Sequence, residues 1–303
     1  MKITIITVNF NGSAETLELL KSLKEQTNQD FETIVVDNAS EEADFTNLQN
    51  QLIHSFSLPT LNVGNPRVKV LRNSQNLGFS GGNNVGIRQA LQNEADWVVL
   101  LNNDTWVERD FIERLKAKLS SLEGLGGIVG IPLQESHKNR TAYCGQVRWL
   151  KSVGFHIYDI EKAKKIKNGH IIGGAMAIHK NVFDKIGFLD EKYFLYFEDA
   201  DLSIRAHKAK IPISIQYDIM IYHTVSSSTK KFGSPLLLRY HYRNALYFNL
   251  KNGPWYIKLL VWPWSLIIVV KQLGKLAVNR NKEESKAILS GVFDFYNRKY
   301  GKI

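Results

Sequence analysis

One stretch of the sequence decides the fold: Asp96-Trp-Val-Val-Leu-Leu-Asn-Asn-Asp104. The continuous apolar run at 97–101 predicts a β-strand that is buried on both faces. The polar residues at 102–104 end this strand abruptly. Strands of this kind occur in sheets that helices cover on both sides, so the stretch indicates an α/β protein.

The same order, an apolar strand and then a polar cluster, occurs twice nearer the N-terminus. Residues 3–8 precede the cluster at 9–12, and residues 31–36 precede the cluster at 37–40. Helix-type spacing of apolar residues between the strands predicts a mostly parallel sheet with helices on both faces. Ligands of such sheets bind beyond the carboxyl ends of the strands, so the polar clusters predict one shared site.

Three further expectations follow from weaker patterns. Residues 40–66, which contain two prolines and a glycine, are expected to be irregular. Ser13 is expected to cap the helix that follows it. Residues 213–221 alternate between apolar and polar side chains and predict one strand, which leads to His223.

The charge of the chain is divided unevenly. The 303 residues carry a formal net charge of +10. Residues 230–303 hold 14 Lys and Arg against 3 Asp and Glu, whereas residues 1–229 hold 25 against 26. A nearly neutral body argues against a nucleic-acid partner and favours an enzyme that docks on an acidic surface. The single cysteine, Cys144, excludes an intramolecular disulfide and a multi-thiolate metal site.

Two acidic segments are candidates for chemistry. The cluster at 102–104 suggests a divalent cation, because hard cations bind carboxylate oxygen together with substrate phosphates. Glu198 and Asp199 follow an aromatic run at 193–197, on which a sugar ring could stack, and a carboxylate beside such a wall can act as a general base. The glycine-rich loop at 78–86 matches neither the Walker loop nor the dinucleotide motif, which disfavours a nicotinamide enzyme.

These segments together resemble a known family. The matching pieces, in order, are Ile6-Thr-Val-Asn-Phe-Asn, Val35-Val-Asp-Asn-Ala-Ser, Asn76-Leu-Gly-Phe-Ser-Gly-Gly-Asn-Asn, Leu100-Leu-Asn-Asn-Asp-Thr, Gly173-Gly-Ala-Met-Ala-Ile, the run from Phe188 to Arg205, His223, and Tyr240-His-Tyr-Arg-Asn. They resemble family 2 inverting glycosyltransferases, with the closest match in the bacterial rhamnosyltransferase-like branch. The resemblance covers roughly residues 1–250. It implies the GT-A fold, a Rossmann-like mixed sheet flanked by helices, here with a C-terminal helical extension.

The resemblance assigns roles to individual residues. The nucleotide-binding set is Thr7, Asn9, Asp37, Asn76, Gly78, Asn83, Asn102 and Asn103. Within it, Asp37 would accept the imide N–H of a pyrimidine ring. Asp104 takes the metal-binding place of the D-x-D motif, whose first Asp is Asn102 here, and His223 would complete the shell of Mg²⁺ or Mn²⁺.

The resemblance also implies the reaction. Asp199 would be the general base with Glu198 supporting it, while Asp201 is expected to pair with Arg205 and hold the helix. The donor would be a nucleotide-diphosphate sugar, dTDP-rhamnose or a UDP-sugar. The acceptor would be a hydroxyl of a glycan, in many relatives a saccharide linked to a lipid pyrophosphate that Arg243 could meet. The setting would be bacterial cell-surface polysaccharide synthesis.

The expected organisation is a catalytic domain at 1–229 and a basic, aromatic helical extension at 230–303. The domain would have a nucleotide-sugar-binding half at about 1–105 and an acceptor half at 106–229. Aromatic residues beside apolar runs at 236–278 suggest contact with a membrane surface, with packing on the domain or a dimer interface as alternatives.

The cellular location follows from the apolar segments. The longest apolar stretch, 259–270, is shorter than the ~20 residues of a spanning helix. The expected location is therefore cytoplasmic and peripheral on the inner face of the cell membrane.

Two other function classes are left open by the residues alone. A nucleotidyltransferase can share such a nucleotide-binding sheet, but that class usually has a basic glycine-rich loop after the first strand, where this chain has Asn9-Phe-Asn-Gly. The other class is a catalytically silent carbohydrate-binding module. The intact Glu198, Asp199 and Asp104 argue against it.

Overall fold

The structure, a computed structural model, describes residues 1–56, 68–122, 124–135, 139–151, 154–166, 169–223 and 233–303. The strands are β1 (Ile3–Asn9), β2 (Glu32–Asp37), β3 (Val68–Arg72), β4 (Trp97–Leu101), β5 (Thr105–Val107), β6 (Ile128–Gly130), β7 (Leu133–Glu135), β8 (Arg140–Ala142), β9 (Cys144–Gln146), β10 (Phe155–Ile157), β11 (Gly169–His170), β12 (Ala175–His179), β13 (Ile213–Ile215) and β14 (Ile221–His223). The helices are α1 (Ser13–Lys24), α2 (Glu42–Phe56), α3 (Gly78–Gln92), α4 (Phe111–Ser120), α5 (Ile160–Lys165), α6 (Lys180–Ile186), α7 (Glu198–Lys208), α8 (Gly233–Asn252), α9 (Trp255–Ala277) and α10 (Lys282–Tyr296). The expected domain boundary at 229 lies outside the described residues.

The central sheet confirms the mixed α/β fold. Its seven strands run in the order β13-β6-β12-β4-β1-β2-β3. Strands β4, β1, β2 and β3 are parallel to one another, whereas β12 is antiparallel to both β4 and β6. The carboxyl ends of β1, β2 and β4 therefore meet at one edge, and the start of β12 joins them there.

Side chains alternate along the central strands and fill two separate cores. In β1, Ile3 and Ile5 pack on one face with apolar residues of α1, α2 and α4. Ile6 points to the other face, where it packs with residues of α3, α6 and α7. Both faces are therefore covered by helices, as the continuous apolar strands predict.

The segment at 40–66 departs from the expectation of an irregular connection, because much of it forms α2. Phe45, Leu48 and Leu52 are buried and spaced as one face of a helix, and Leu48 and Leu52 pack into the core beside α1. Acidic residues in the first turn of α2 favour its start, because they complement the helix dipole. The many polar residues between these apolar positions hide the helical spacing in the sequence.

Two other local expectations are corrected. The run at 213–221 forms two short strands in different sheets, because β13 pairs with β6 while β14 pairs with β5 and β7. Ser13 is the first residue of α1 and its side chain does not cap the helix. The carboxylate of Asp44, on α2, accepts the backbone N–H of Ser13 at 3.0 Å in its place.

Two small sheets flank the edge where the strands end. One is four-stranded, in the order β5-β14-β7-β8, and the other is three-stranded and antiparallel, in the order β10-β9-β11. The first brings His223 level with Thr105, directly after the cluster at 102–104. The second is built from strands between residues 144 and 170.

Helices α8, α9 and α10 form the C-terminal extension. They share an apolar cluster that includes Leu246, Val261 and Val292. Gly291 lets α10 approach the backbone of Arg239 on α8, because a Cβ at Gly291 would overlap the Arg239 carbonyl. The guanidinium of Arg239 also forms an ion pair with Asp294 at 2.6 Å.

Helix α9 is longer than the apolar stretch in the sequence suggests. It continues through Pro263 for 23 residues, with a mean hydropathy of 1.4 in its most apolar window. Among the described residues it is the one helix that is long and apolar enough to cross a membrane, judged by length and composition alone. The helix therefore extends well beyond the apolar stretch at 259–270, and length alone does not decide whether it spans a bilayer.

Candidate active site

A cavity opens at the edge where β1, β2 and β4 end, and we call it the first cavity. Its volume is about 250 Å³. Predicted site residues that line it are Asn76, Gly78, Asn83, Asn102, Asn103, Asp104, Glu198 and Asp199. Apolar residues, among them Val8, Phe10 and Leu101, complete the wall. Residues that are far apart in the sequence thus meet around one space, as the strand-end argument requires.

Four predicted site residues do not line this cavity. His223 lies behind Asp104, while Thr7, Asn9 and Asp37 are fully buried beneath the wall. The amide of Asn9 donates to Asp37 at 2.9 Å and to Ser40 at 3.1 Å. These side chains hold the ends of β1 and β2 together, and contact of Asp37 with a base stays a prediction.

Asn38, next to Asp37, shapes the cavity instead. Its amide group donates to Asn76 Oδ1 and to the carbonyl of Gly78, both at 3.0 Å. Its own oxygen accepts the backbone N–H of Leu77 at 3.0 Å. One side chain therefore fixes the loop that begins α3. Asn38 belongs to the polar cluster at 37–40, and only its contacts in the structure reveal this role.

Gly78 is required by a close backbone contact. Its φ of +72° lies in the left-handed region, and a Cβ there would overlap the carbonyl of Phe194. That same carbonyl accepts the backbone N–H of Phe79 at 2.7 Å. The start of α3 is thus joined to the aromatic segment at 193–197.

The turn at 102–104 is held at both sides. The amide of Asn103 donates to Thr16 Oγ1 at 3.1 Å, which ties the turn to α1. The backbone N–H of Asn102 donates to the carbonyl of Gly174 at 3.1 Å, and a Cβ at Gly174 would overlap the Asn102 side chain. Asp104 is thereby presented to the cavity by a rigid turn.

Asp104 and His223 form the candidate metal site. His223 Nε2 lies 3.2 Å from Asp104 Oδ1, because β14 pairs with β5. Among the described residues no group of three or more His, Cys, Asp or Glu could hold a metal ion. One carboxylate and one imidazole nevertheless fit a cation that takes its remaining ligands from substrate phosphates and water.

Asp199 stands at the N-terminus of α7. Its Oδ2 accepts the backbone N–H of Gly173 at 3.1 Å, and its Oδ1 accepts that of Ala200 at 2.7 Å. A Cβ at Gly173 would lie 3.1 Å from Asp199 Cβ, so a larger residue would crowd the carboxylate. The glycine pair at 173–174 thus lets the start of β12 contact both acidic segments of the site.

Glu198 has a different environment from Asp199. It is buried, and among the described residues its Oε2 has no hydrogen-bond partner. Burial, with a smaller contribution from the charge of Asp199, raises the pKa of Glu198 to about 8. When one carboxyl keeps its proton near neutral pH and its neighbour is ionised, the first can serve as an acid and the second as a base.

Asp201 holds α7 in place. The predicted ion pair with Arg205 is confirmed at 2.7 Å. The carboxylate also contacts Lys251 at 2.7 Å and accepts a hydrogen bond from Asn252 at 2.7 Å. Since these last two residues belong to α8, Asp201 joins the helix that carries Asp199 to the C-terminal extension.

The aromatic segment at 193–197 has an unusual backbone. Phe194, Tyr196 and Phe197 have φ values of 64°, 71° and 77°, all in the left-handed region that non-glycine residues seldom adopt. Helix α8 supports this conformation. The amide of Asn244 donates to the carbonyls of Tyr193, Leu195 and Tyr196, at 2.9, 2.7 and 3.2 Å.

Arg243 has a structural role. The expectation that it contacts a pyrophosphate is therefore wrong. It is fully buried, and its guanidinium donates to the carbonyls of Tyr193, Lys299 and Gly301 at 3.1, 3.2 and 2.8 Å. Arg243 and Asn244 therefore bind the backbone ahead of Asp199 and do not face the cavity. Both residues lie within Tyr240-His-Tyr-Arg-Asn, and only their contacts reveal what they do.

Comparison with known proteins identifies the family. The mixed sheet with acidic residues at its carboxyl edge is the GT-A arrangement of enzymes that use nucleotide sugars. Residues 4–187 match glycosyl transferase family 2, and since this is more than half of the chain, the protein belongs to that family. It is therefore a glycosyltransferase, which excludes the nucleotidyltransferase and the silent module.

Relatives with assigned names include rhamnosyltransferases. The dTDP-rhamnosyl transferase RfbF of Shigella flexneri is 24% identical over 303 residues, which cover 95% of this chain and 94% of the relative. The N-acetylglucosaminyl-diphospho-decaprenol L-rhamnosyltransferase of Mycobacterium tuberculosis is 21% identical over 251 residues, 75% of this chain and 82% of the relative.

Solved structures agree with the fold. S. aureus TarS 1–349 in complex with UDP-GlcNAc has a TM-score of 0.58 at 16% identity, covering 97% of this chain and 80% of that one. A mannosyltransferase from Pyrobaculum calidifontis with GDP-Man and Mn²⁺ has a TM-score of 0.56 at 12% identity, over 98% and 87%. GalNAc-T7 with UDP, GalNAc and Mn²⁺ has 0.63 at 16%, over 84% of this chain. The chain spans 49% of GalNAc-T7 and 40% of a longer TarS structure.

The raised pKa of Glu198 predicts a pH-dependent stability. In the folded protein Glu198 keeps a proton that the same side chain releases above its ordinary pKa of 4.5 in the unfolded chain. Glu198 therefore makes folding less favourable as the pH rises from 4.5 towards 8. Glu198→Gln removes this titration. We expect its Tm to match the wild type at pH 5 and to exceed it by a few degrees at pH 8. A Tm difference that is equal at both pH values would contradict the prediction.

The contacts of Asn244 predict an effect on turnover. Asn244→Ala removes three hydrogen bonds from the strained segment that leads to Asp199, so we expect kcat to fall at least tenfold and the protein to lose about 1–3 kcal/mol of stability. KM for the donor should change much less. Asn297→Ala, at an exposed position of the extension, is the matched control, and equal kinetics for both variants would refute the role of Asn244.

Proposed function

We propose that the protein is an inverting glycosyltransferase that moves a sugar from a nucleotide-diphosphate donor to a hydroxyl of a glycan acceptor in bacterial cell-surface polysaccharide synthesis. The observation that carries the proposal is that Asp104 and Asp199, 95 residues apart in the sequence, line one cavity of about 250 Å³. One can serve the leaving diphosphate and the other the attacking hydroxyl.

Asp199 is the general base in this proposal. The acceptor oxygen forms a bond to the anomeric carbon, its proton passes to Asp199, and the bond from that carbon to the diphosphate oxygen breaks with its electron pair. Attack opposite the leaving group inverts the anomeric carbon. Gly173 N–H orients the carboxylate, and the protonated Glu198 avoids a second negative charge beside it.

Asp104 and His223 are the residues that would hold a divalent cation, Mg²⁺ or Mn²⁺. Such a cation, when bound, stabilises the negative charge of the leaving diphosphate. The Mn²⁺ in the GalNAc-T7 and Pyrobaculum structures supports this assignment. Binding of the rest of the nucleotide is assigned to the loop at 76–84 and to the turn at 102–104. Both provide amide groups at the cavity wall.

The donor is proposed to be dTDP-rhamnose, with UDP-sugars as the alternative. The name of the Shigella flexneri relative, which this chain matches along 95% of its length, supports the first. The TarS complex with UDP-GlcNAc supports the second, because its chain shares the fold over 97% of this one. Both donors carry a pyrimidine base, for which Asp37 is the proposed recognition residue.

Helix α9 supports a peripheral position on the inner face of the cell membrane. We call its exposed apolar residues the α9 face; they are Trp255, Tyr256, Leu259, Leu260, Trp262, Leu266, Ile267, Val270 and Leu273, between 45% and 74% exposed. Its opposite side packs on α8 and α10, where Ser265 contacts Tyr296 and Gln272 accepts from Ser285. Spanning a bilayer would carry the charged residues of α10 into hydrocarbon, so α9 is better suited to lie in the interface.

The charge of the extension fits an anionic bilayer. Lys258, Lys271 and Lys275 lie along α9, and Arg280 and Lys282 follow it. Each basic residue near an anionic surface contributes about 1 kcal/mol to binding. A lipid-linked acceptor would be reached from this position.

The role of Asp199 is tested by Asp199→Asn, which keeps the shape of the side chain and removes the base. We expect transfer to fall by at least a thousandfold while donor binding, measured by calorimetry, stays within about threefold. Asp184→Asn, an exposed carboxylate on α6, is the matched control. Loss of donor binding in Asp199→Asn would argue for a metal-binding or structural role instead.

The metal assignment is tested by Asp104→Ala. Because the variant removes a carboxylate that would hold the cation, we expect weaker donor binding and loss of any dependence of that binding on Mn²⁺. The wild type should lose activity in a chelator and regain it with added Mn²⁺ or Mg²⁺. Full activity of the wild type in chelator would refute the assignment.

The membrane contact is tested by sedimentation with vesicles. The wild type should bind phosphatidylglycerol vesicles and bind phosphatidylcholine vesicles much less, because the first are anionic. Leu266→Asp with Val270→Asp, on the α9 face, should lower vesicle binding at least tenfold. Leu125→Asp changes an equally exposed residue outside the extension and should have no effect; equal binding by all three proteins would contradict the proposal.

A further inference from the structure

One lysine of α8 contacts two carboxylates that lie on either side of the aromatic segment at 193–197. The Nζ of Lys251 lies 2.7 Å from Asp190 Oδ2 and 2.7 Å from Asp201 Oδ1. Asp190 precedes the aromatic segment, whereas Asp201 follows it in the first turn of α7. A single ammonium group therefore joins both ends of the stretch that contains the proposed base.

The contact with Lys251 brings two negative charges close together. Because each carboxylate oxygen lies 2.7 Å from the same nitrogen, the two oxygens are separated by no more than twice that distance. Asp201 is fully buried and the Asp190 side chain is only 18% exposed, so water screens their repulsion poorly. The positive charge of Lys251 offsets this repulsion.

Asp190 stays ionised in this environment. Burial by itself would raise the pKa of Asp190, but hydrogen bonds from Lys251 and Tyr247 outweigh burial and lower the pKa. Two charged carboxylates, and not one charged and one neutral group, therefore share the ammonium group.

Each carboxylate also has a partner of its own. Asp190 accepts a hydrogen bond from the hydroxyl of Tyr247 at 2.8 Å, and Asp201 pairs with Arg205 at 2.7 Å. These partners remain when Lys251 is replaced, so the local fold does not depend on Lys251 alone. Lys251 adds a positive charge that the two carboxylates share.

The position of Asp201 bears directly on the proposed base, which lies two residues earlier. The backbone N–H of Asp201 donates to the carbonyl of Phe197 at 2.9 Å, and this bond closes the turn that contains Asp199. Across the site, Asp199 Oδ2 accepts the backbone N–H of Gly173 at 3.1 Å. If Asp201 moved away from Asp190, the turn would move relative to Gly173, and the carboxylate of Asp199 would move with it.

We propose that Lys251 is a positioning residue for Asp199. Its charge holds the two neighbouring carboxylates together and so fixes the turn of α7 on which the base stands. Because Lys251 lies outside the lining of the first cavity, it acts through α7 and not on a substrate. This inference rests on the proposed role of Asp199 as the general base.

The charge is tested by Lys251→Met, which keeps an unbranched apolar side chain and removes the ammonium group. The measured reactions are release of dTDP from dTDP-rhamnose and of UDP from UDP-GlcNAc with Mn²⁺, in which water takes the place of the acceptor hydroxyl. We expect kcat to fall at least tenfold and KM to change by less than about threefold, because the walls that bind the donor are unchanged. Lys286→Met, which removes an exposed lysine paired with Glu283 on α10, is the matched control and should leave both constants unchanged.

A second substitution separates charge from packing. Adding Asp190→Asn to Lys251→Met removes one of the two repelling charges, so we expect kcat to recover at least threefold over Lys251→Met alone. A lysine that only filled space or held the fold would give no such recovery. An unchanged kcat in Lys251→Met, or a loss that Asp190→Asn does not reverse, would overturn the inference.

Amide-proton NMR of the full chain measures the position of Asp199 without turnover. The probe is the Gly173 N–H, which is bound to the Asp199 carboxylate. Its exchange with D₂O should be at least tenfold faster in Lys251→Met than in the wild type, slower again once Asp190→Asn is added, and unchanged in Lys286→Met. Equal exchange in Lys251→Met and the wild type would contradict the positioning role.

The two measurements separate failure of this inference from failure of the proposed function. A wild type that releases neither nucleotide contradicts the proposed function, and the Gly173 exchange rate then still decides whether Lys251 positions Asp199. A wild type that releases nucleotide as fast as Lys251→Met contradicts the inference alone. Lys251→Gln, which is uncharged but keeps a hydrogen-bond donor, replaces Lys251→Met in both measurements if the methionine variant does not fold.

Discussion

The arrangement of the site depends on the hydrogen bonds that α8 makes to the backbone ahead of Asp199. Left-handed conformations at Phe194, Tyr196 and Phe197 are unfavourable for residues with side chains, at about 1–3 kcal/mol each. Asn244 offsets this by donating to several carbonyls of the segment at once. With the segment held, its Phe194 carbonyl can bind the start of α3, and α7 begins where Asp199 meets Gly173.

The polar residues of the site divide into those that hold the walls and those that face the cavity. Asn9 and Asp37 bind other protein groups, so their cost of burial is offset within the fold, and Asn103 both lines the cavity and binds Thr16. Asp104 lines the cavity on a short turn, and Asp199 lines it from the N-terminus of α7. Such supporting contacts limit movement of the two carboxylates, which favours a reaction that needs fixed positions for the base and the leaving group.

The extension is more than an attachment to the catalytic sheet. Its α8 binds the segment ahead of Asp199 and accepts the backbone N–H of Leu150 through Asn249, and its α9 presents an apolar face. In our proposal one group of helices therefore contacts the membrane surface and supports the base. The match to the family ends at residue 187, so these functions lie in a part of the chain outside it.

The strands and much of the site follow from sequence pattern, because continuous apolar runs that end in polar clusters can be satisfied only by a covered sheet with those clusters at one edge. Helix α2 was harder to foresee, since its polar residues obscure the spacing of Phe45, Leu48 and Leu52. Strands β13 and β14 both begin within the single alternation at 213–221, and sequence spacing does not reveal which sheet each strand joins.

The sequence by itself determined the class of fold and the residues able to do chemistry, because local periodicity and residue type are properties of the chain. Only the tertiary structure decided which of those residues meet. It buried Asp37 and Arg243, placed His223 beside Asp104, and brought Asn244 to the segment at 193–197. These outcomes depend on contacts between distant residues, and such contacts are set by how helices and sheets pack in three dimensions.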